Sequence, residues 1–191
     1  MQHLSSPKHP WPAAGLLLLL LLLLLGPAVR AQAPAWQSAV VISQNSDYYA
    51  LPKMAADVSG NIYVVGHFTG TVVFGTTTLT SAGNSDIFVV KWNPVTASFS
   101  WAQRAGGMGY DLCTGVAVSG ASVYVTGYFT NASIDFGNIT LLNTGDRDGF
   151  VAKITDAGSS GAFAWAQQVG GAGVDQVSTV AASGTSRLVP K

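Results

Sequence analysis

Two stretches of this chain match each other at a spacing of 61 to 64 residues, and that period constrains the fold more than any other feature. Asn61-Ile-Tyr-Val-Val-Gly-His-Phe-Thr69 answers Ser122-Val-Tyr-Val-Thr-Gly-Tyr-Phe-Thr130. Asp86-Ile-Phe-Val-Val-Lys91 answers Asp148-Gly-Phe-Val-Ala-Lys153, and Trp101-Ala-Gln103 with Gly106, Gly107, Gly109 and Asp111 answers Trp165-Ala-Gln167 with Gly170, Gly171, Gly173 and Asp175. Insertions fall between the matched blocks, as they do when blocks are strands and gaps are loops.

Each unit reads as four short strands, in the first unit over 55–58, 62–68, 87–92 and 99–104, set apart by Gly, Asn, Asp and Pro clusters. Phe74 with 76–80 reads as a hairpin between the second and third strands. The third strand carries unbroken apolar runs, Ile87 to Val90 and Phe150 to Ala152, where a strand with one wet face would alternate. A sheet covered on both faces is therefore expected. The composition agrees: all nine acidic residues are Asp, so the strong helix former Glu is missing, while Gly, Thr, Ser and Val suit turns and strands.

The N-terminus reads as a processing signal. Lys8 precedes ten consecutive leucines, Leu16 to Leu25, which is the length of a signal-peptide core and short for a membrane span. Gly26 and Pro27 then break the helix, and Val29-Arg30-Ala31 places small residues where cleavage after Ala31 needs them. An uncleaved anchor is the competing reading. Removal of 1–31 leaves seven basic against nine acidic side chains, so no basic footprint for nucleic acid or for an anionic membrane is expected. The single cysteine, Cys113, excludes an internal disulfide and sits at an apolar position, where it reads as a small buried hydrophobe.

The succession Val116-Ala-Val-Ser-Gly120, Val123-Tyr-Val-Thr-Gly127, Asp148-Gly-Phe-Val-Ala-Lys153 and Trp165-Ala-Gln-Gln-Val-Gly-Gly-Ala-Gly-Val-Asp175 resembles the bacterial SBBP repeat, a β-propeller repeat of secreted proteins. That resemblance spans nearly all of 36–184 and implies a non-enzymatic extracellular or cell-surface protein. The expected fold is all-β: propeller-like blades of four-stranded antiparallel sheets, about two complete and the rest partial, in an incomplete ring. The expected divisions are a signal peptide over 1–31, a partial blade over 32–54, repeats over 55–115 and 116–179, and the truncated start of another over 180–191. Two blades cannot encircle an axis, so self-association through exposed blade faces or marginal stability is expected.

Candidate sites are weighed against structural roles. Gly106 to Thr114 and Gly170 to Ser178 fit the calcium nonapeptide of β-rolls, with Asp111 and Asp175 as ligands. Those nonapeptides bind calcium in tandem, whereas these stand 64 residues apart, so turn-forming carboxylates bonded to local amides are the favoured reading. No metal or other cofactor is expected. His67 is the one imidazole beyond the signal peptide, and its counterpart is Tyr128, which supplies no base for a nucleophile. Asp135, Asp146 and Asp148, or Asp86 with Asp111, are the carboxylates from which a glycoside hydrolase would be assembled, although nothing fixes their separation. Trp36, Trp101 and Trp165 recur at spacings of 65 and 64, which suits stacking on sugar rings or, equally, blade packing. The sequence thus favours a secreted structural or interaction module whose partner is a protein or glycan, with a lectin-like binder as the alternative and a hydrolase third.

Overall fold

A computed structural model describes residues 52–184; the expected signal peptide, most of the expected partial blade, with Trp36, and residues 185–191 lie outside the described residues. These residues form twelve strands and no helix. The first sheet consists of β1 (Lys53–Ala56), β2 (Ile62–Phe68), β5 (Asp86–Asn93) and β6 (Ser98–Ala105), in that order and antiparallel throughout. Between β2 and β5 runs a separate hairpin of β3 (Thr71–Phe74) and β4 (Thr77–Thr80). The second sheet repeats the order with β7 (Asp111–Ser119), β8 (Ser122–Phe129), β11 (Asp148–Asp156) and β12 (Gly161–Val169). Its hairpin, β9 (Ser133–Phe136) with β10 (Ile139–Leu142), occupies the same place.

Strand pairing sorts side chains onto faces. Tyr63 lies opposite Lys91, and Lys91 opposite Trp101; Val65, Val89 and Gln103 line up likewise, so these residues share one face of the first sheet. The second sheet lays its opposite face on them. Tyr63, Val65, Ile87, Val89, Trp101 and Ala105 form one buried cluster with Val123, Val125, Phe129, Phe150, Ala152 and Ile154, sealed by Ile134 and Phe136 of the β9–β10 hairpin. The other face of the first sheet carries Val64, Phe68, Phe88, Val90 and Ala102, which pack with Phe74 of β3 and Leu79 of β4. Apolar residues thus lie on both sides of β5, which accounts for its unbroken run.

Two glycines allow the close packing. A Cβ at Gly66 would sit 2.7 Å from the Phe88 ring, and one at Gly127 would sit 2.8 Å from Phe150 and 2.0 Å from the Leu112 carbonyl oxygen. The far end of the third-strand aromatic ring therefore lies against a bare backbone in both sheets.

Candidate functional site

Three constellations of polar side chains stand out. In the first, Asp86 opens β5 with its carboxylate fully buried, accepting from the Ser81 hydroxyl at 3.0 Å and the Ala82 amide at 3.1 Å and pairing with Arg104 on β6. Asp111 opens β7, equally buried, and accepts from the Gly107 amide at 2.6 Å. Its second oxygen has no hydrogen-bond partner. Burial, with Asp86 and Asp135 nearby, pushes the Asp111 carboxyl up to about 7, against the opposing pull of the Gly107 amide and Arg104. The second sheet keeps the arrangement in outline: Asp148 accepts from the Thr144 amide at 2.6 Å and from Gln168, which stands in place of Arg104, while Asp175 accepts from the Gly171 amide at 2.9 Å.

Asp111 and Asp175 are thus bonded to the glycine amides of their own loops. Among the described residues no three His, Cys or Asp side chains converge as a metal ion would require. The glycines serve close approach: a Cβ on Gly106 would meet the Asp86 carboxylate at 2.2 Å, and one on Gly107 the Ser133 carbonyl oxygen at 2.3 Å. One isolated parallel bridge joins Ser85 to Tyr110 and another Arg147 to Val174, so each loop turns back beside the residue just before the third strand of the sheet it has just left. Asp135 and Asp146 are exposed, whereas Asp148 is buried beneath its own turn. Asp135 accepts from the Thr140 hydroxyl at 2.6 Å. His67 is buried on β2. Cys113 is buried on β7, where its environment pushes the thiol up to about 12, away from nucleophile chemistry at neutral pH.

The second constellation joins the sheets. Asp156, at the β11–β12 turn, accepts from the Tyr63 hydroxyl at 2.6 Å, the Lys91 ammonium at 2.6 Å and the Trp101 indole N–H at 2.9 Å. The Gly158 amide, at 2.9 Å, adds the turn's own bond. Burial would raise this carboxyl, but the donors, led by Lys91, hold it below the usual range. The same surroundings drive the Tyr63 hydroxyl well above its ordinary value, by burial first and the hydrogen bond to Asp156 second. Gln103 donates to the Gly161 carbonyl at 2.7 Å. Trp101 is 5% exposed, so its indole belongs to the packing between the sheets.

The third constellation is the counterpart of the second on the same face of the second sheet: Tyr124, Lys153 and Trp165. Tyr124 and Trp165 keep the ring geometry of Tyr63 and Trp101, with centroids 6.3 Å apart against 6.0 Å and interplanar angles of 55° in both. Residues 175–184 cross β7 on this face, with Thr114 donating to the Val177 carbonyl and Ser119 to the Gly184 carbonyl at 2.6 Å. β12 is less covered than its counterpart β6. Ala105 is 0% exposed, whereas Val169 in its place is 45% exposed, and Lys153 and Trp165 are half-buried where Lys91 and Trp101 are covered. Sequence reasoning singled out the tryptophans but missed their lysine and tyrosine partners, although both recur at the repeat spacing. Comparison with family models and with curated proteins finds no match to this chain.

Proposed function

We propose that the chain is a secreted, non-enzymatic structural or interaction module of the SBBP kind, built of propeller-like stacked blades that present an open sheet face and loops to a protein or glycan partner. The observation that supports it best is the relation between the two sheets. One face of the first sheet is closed by the second, while on the corresponding face of the second Lys153 and Trp165 are half-buried and Gln167 and Val169 are exposed. Stacking of this kind leaves a face at the end of the array, and end faces are where such arrays need a cap or a partner.

A lectin-like reading is favoured by one feature, the half-buried Trp165 with open surface beside Lys153 and Gln167. Titration of tryptophan fluorescence against a glycan panel separates the two readings: the module gives no saturable change, whereas a saturable quench abolished by Trp165→Ala establishes the lectin. Turnover of chromogenic glycosides by the protein would remove the non-enzymatic reading. The secretory part is checked by intact mass, which is expected to show exported protein beginning at Gln32; recovery of the uncleaved chain in membranes would overturn it.

A further inference from the structure

We propose that Tyr124, Lys153 and Trp165 form a docking site for a further antiparallel sheet whose hairpin turn carries an aspartate, with a glycine five residues on. The first sheet supplies the template. There the triad of Tyr63, Lys91 and Trp101 receives Asp156 through one hydroxyl, one ammonium and one indole N–H. The turn that delivers this carboxylate runs from Asp156 to Gly161, and Gly161 lies directly on the indole: a Cβ there would sit 2.9 Å from the Trp101 ring. Carboxylate and bare glycine are thus the two features that the triad reads.

The second triad has the same three side chains on the same strands, with the tyrosine and tryptophan rings held at the same angle. Tyr124 is 7% exposed, Lys153 and Trp165 are half-buried, Val169 is exposed beside them, and no described carboxylate pairs with Lys153. A positive charge with two neutral donors on a partly apolar face is complementary to an acidic turn, and it continues an interface that the chain already makes once. The inference rests on the stacked-blade reading above and names the chemistry of the partner.

The chain's own first sheet falls short of being that partner by one residue pair as well as by the turn residues. Its β5–β6 turn begins with Asn93, two residues after Lys91 and therefore on the face of Lys91, and ends with Ser98, whereas Asp156 stands three residues after Lys153, on the opposite face, and pairs with Gly161. Replacing residues 92–99 by the sequence of residues 154–163 adds the missing pair and sets the carboxylate and the bare backbone on the face that would meet the triad, and this allows a defined test. One protein carries this exchange plus Lys153→Met, so it offers the turn and lacks the site. The other is the wild type, which offers the site and lacks the turn.

Sedimentation velocity of the equimolar mixture is expected to show a heterodimer at least about tenfold tighter than the self-association of either protein, the size one charge-assisted hydrogen bond carries. Lys153→Met or Trp165→Phe in the second protein should abolish the gain, and added salt should weaken it. A mixture that sediments as the sum of its parts, or a gain that survives Lys153→Met, overturns the docking site. If the wild type then still melts in one cooperative step, the stacked module stands without it; a broad, non-cooperative melt removes both.

Discussion

Lys91 on β5 of the first sheet and Asp156 at the end of β11 of the second meet at 2.6 Å with both side chains 7% exposed, and this pair ties one sheet to the other. Breaking a buried pair from one side leaves the remaining charge without compensation, at a cost of about 3–5 kcal/mol. The two sides are not equivalent. Asp156→Ala strands the Lys91 ammonium and the Trp101 indole and leaves the Tyr63 hydroxyl its longer bond to Asp57, whereas Lys91→Met leaves Asp156 with three donors. Urea unfolding should therefore place Asp156→Ala in that range and Lys91→Met clearly below it. Equal losses would mean that the other donors contribute little.

This tie was hard to find in the sequence, for a physical reason. Self-comparison detects what recurs, and Asp156 does not: the first-sheet residue at the start of the corresponding turn is Asn93, on a hairpin one residue pair shorter. The strands themselves were legible. Expected at 62–68, 87–92 and 99–104, they run Ile62–Phe68, Asp86–Asn93 and Ser98–Ala105. The first strand, expected at 55–58, is Lys53–Ala56, because Asp57 accepts from the Ser59 and Asn61 amides and starts the turn two residues early. Of the third strand, the apolar run disclosed a sheet covered on both faces but not the covering elements, since nothing local says that a hairpin takes one face and the next sheet the other. The roles of Asp111 and Asp175 as acceptors for loop amides followed from the isolated nonapeptides, whereas the burial of Asp86 and Asp148 carried no local signal.

The glycines beneath the third-strand rings should differ in their tolerance of a methyl group. Gly66→Ala meets the far end of the Phe88 ring at 2.7 Å, whereas Gly127→Ala meets a backbone carbonyl at 2.0 Å in addition to the Phe150 ring. A ring can tilt; a carbonyl in a paired strand moves only with its ladder. Overpacking of a tight core costs about 1–3 kcal/mol, and Gly127→Ala should exceed Gly66→Ala within or beyond that range. Thermal melts of the two variants decide it, and a larger loss for Gly66→Ala would show that the Phe88 side is the stiffer.

Added calcium should leave the melting temperature nearly unchanged, because the Asp111 and Asp175 carboxylates already accept from Gly107 and Gly171 in separate loops. Ions bound to the folded state alone would raise it in proportion to their occupancy. A shift of many degrees that Asp111→Asn and Asp175→Asn together abolish would assign a calcium site to these loops.

Stability should also fall as pH rises from about 5 to 8. Asp111 titrates near 7 in the folded protein, raised first by burial and further by Asp86 and Asp135, while in the unfolded chain it titrates near 4. Between these values the folded state holds a proton that the unfolded state has released, so raising the pH favours unfolding. The loss should begin above about pH 4 and be complete once pH passes about 7, with a magnitude on the order of 1–3 kcal/mol. Asp156 acts at the opposite end: its lowered value gives stability that is present above about pH 4 and lost as pH falls below it. Together they place the optimum on the acid side of neutrality. Asp111→Asn keeps an acceptor for the Gly107 amide but has no charge to bury. Urea midpoints at pH 5, 6, 7 and 8 should therefore decline for the wild type and stay level for Asp111→Asn; parallel curves would assign the titration to another group.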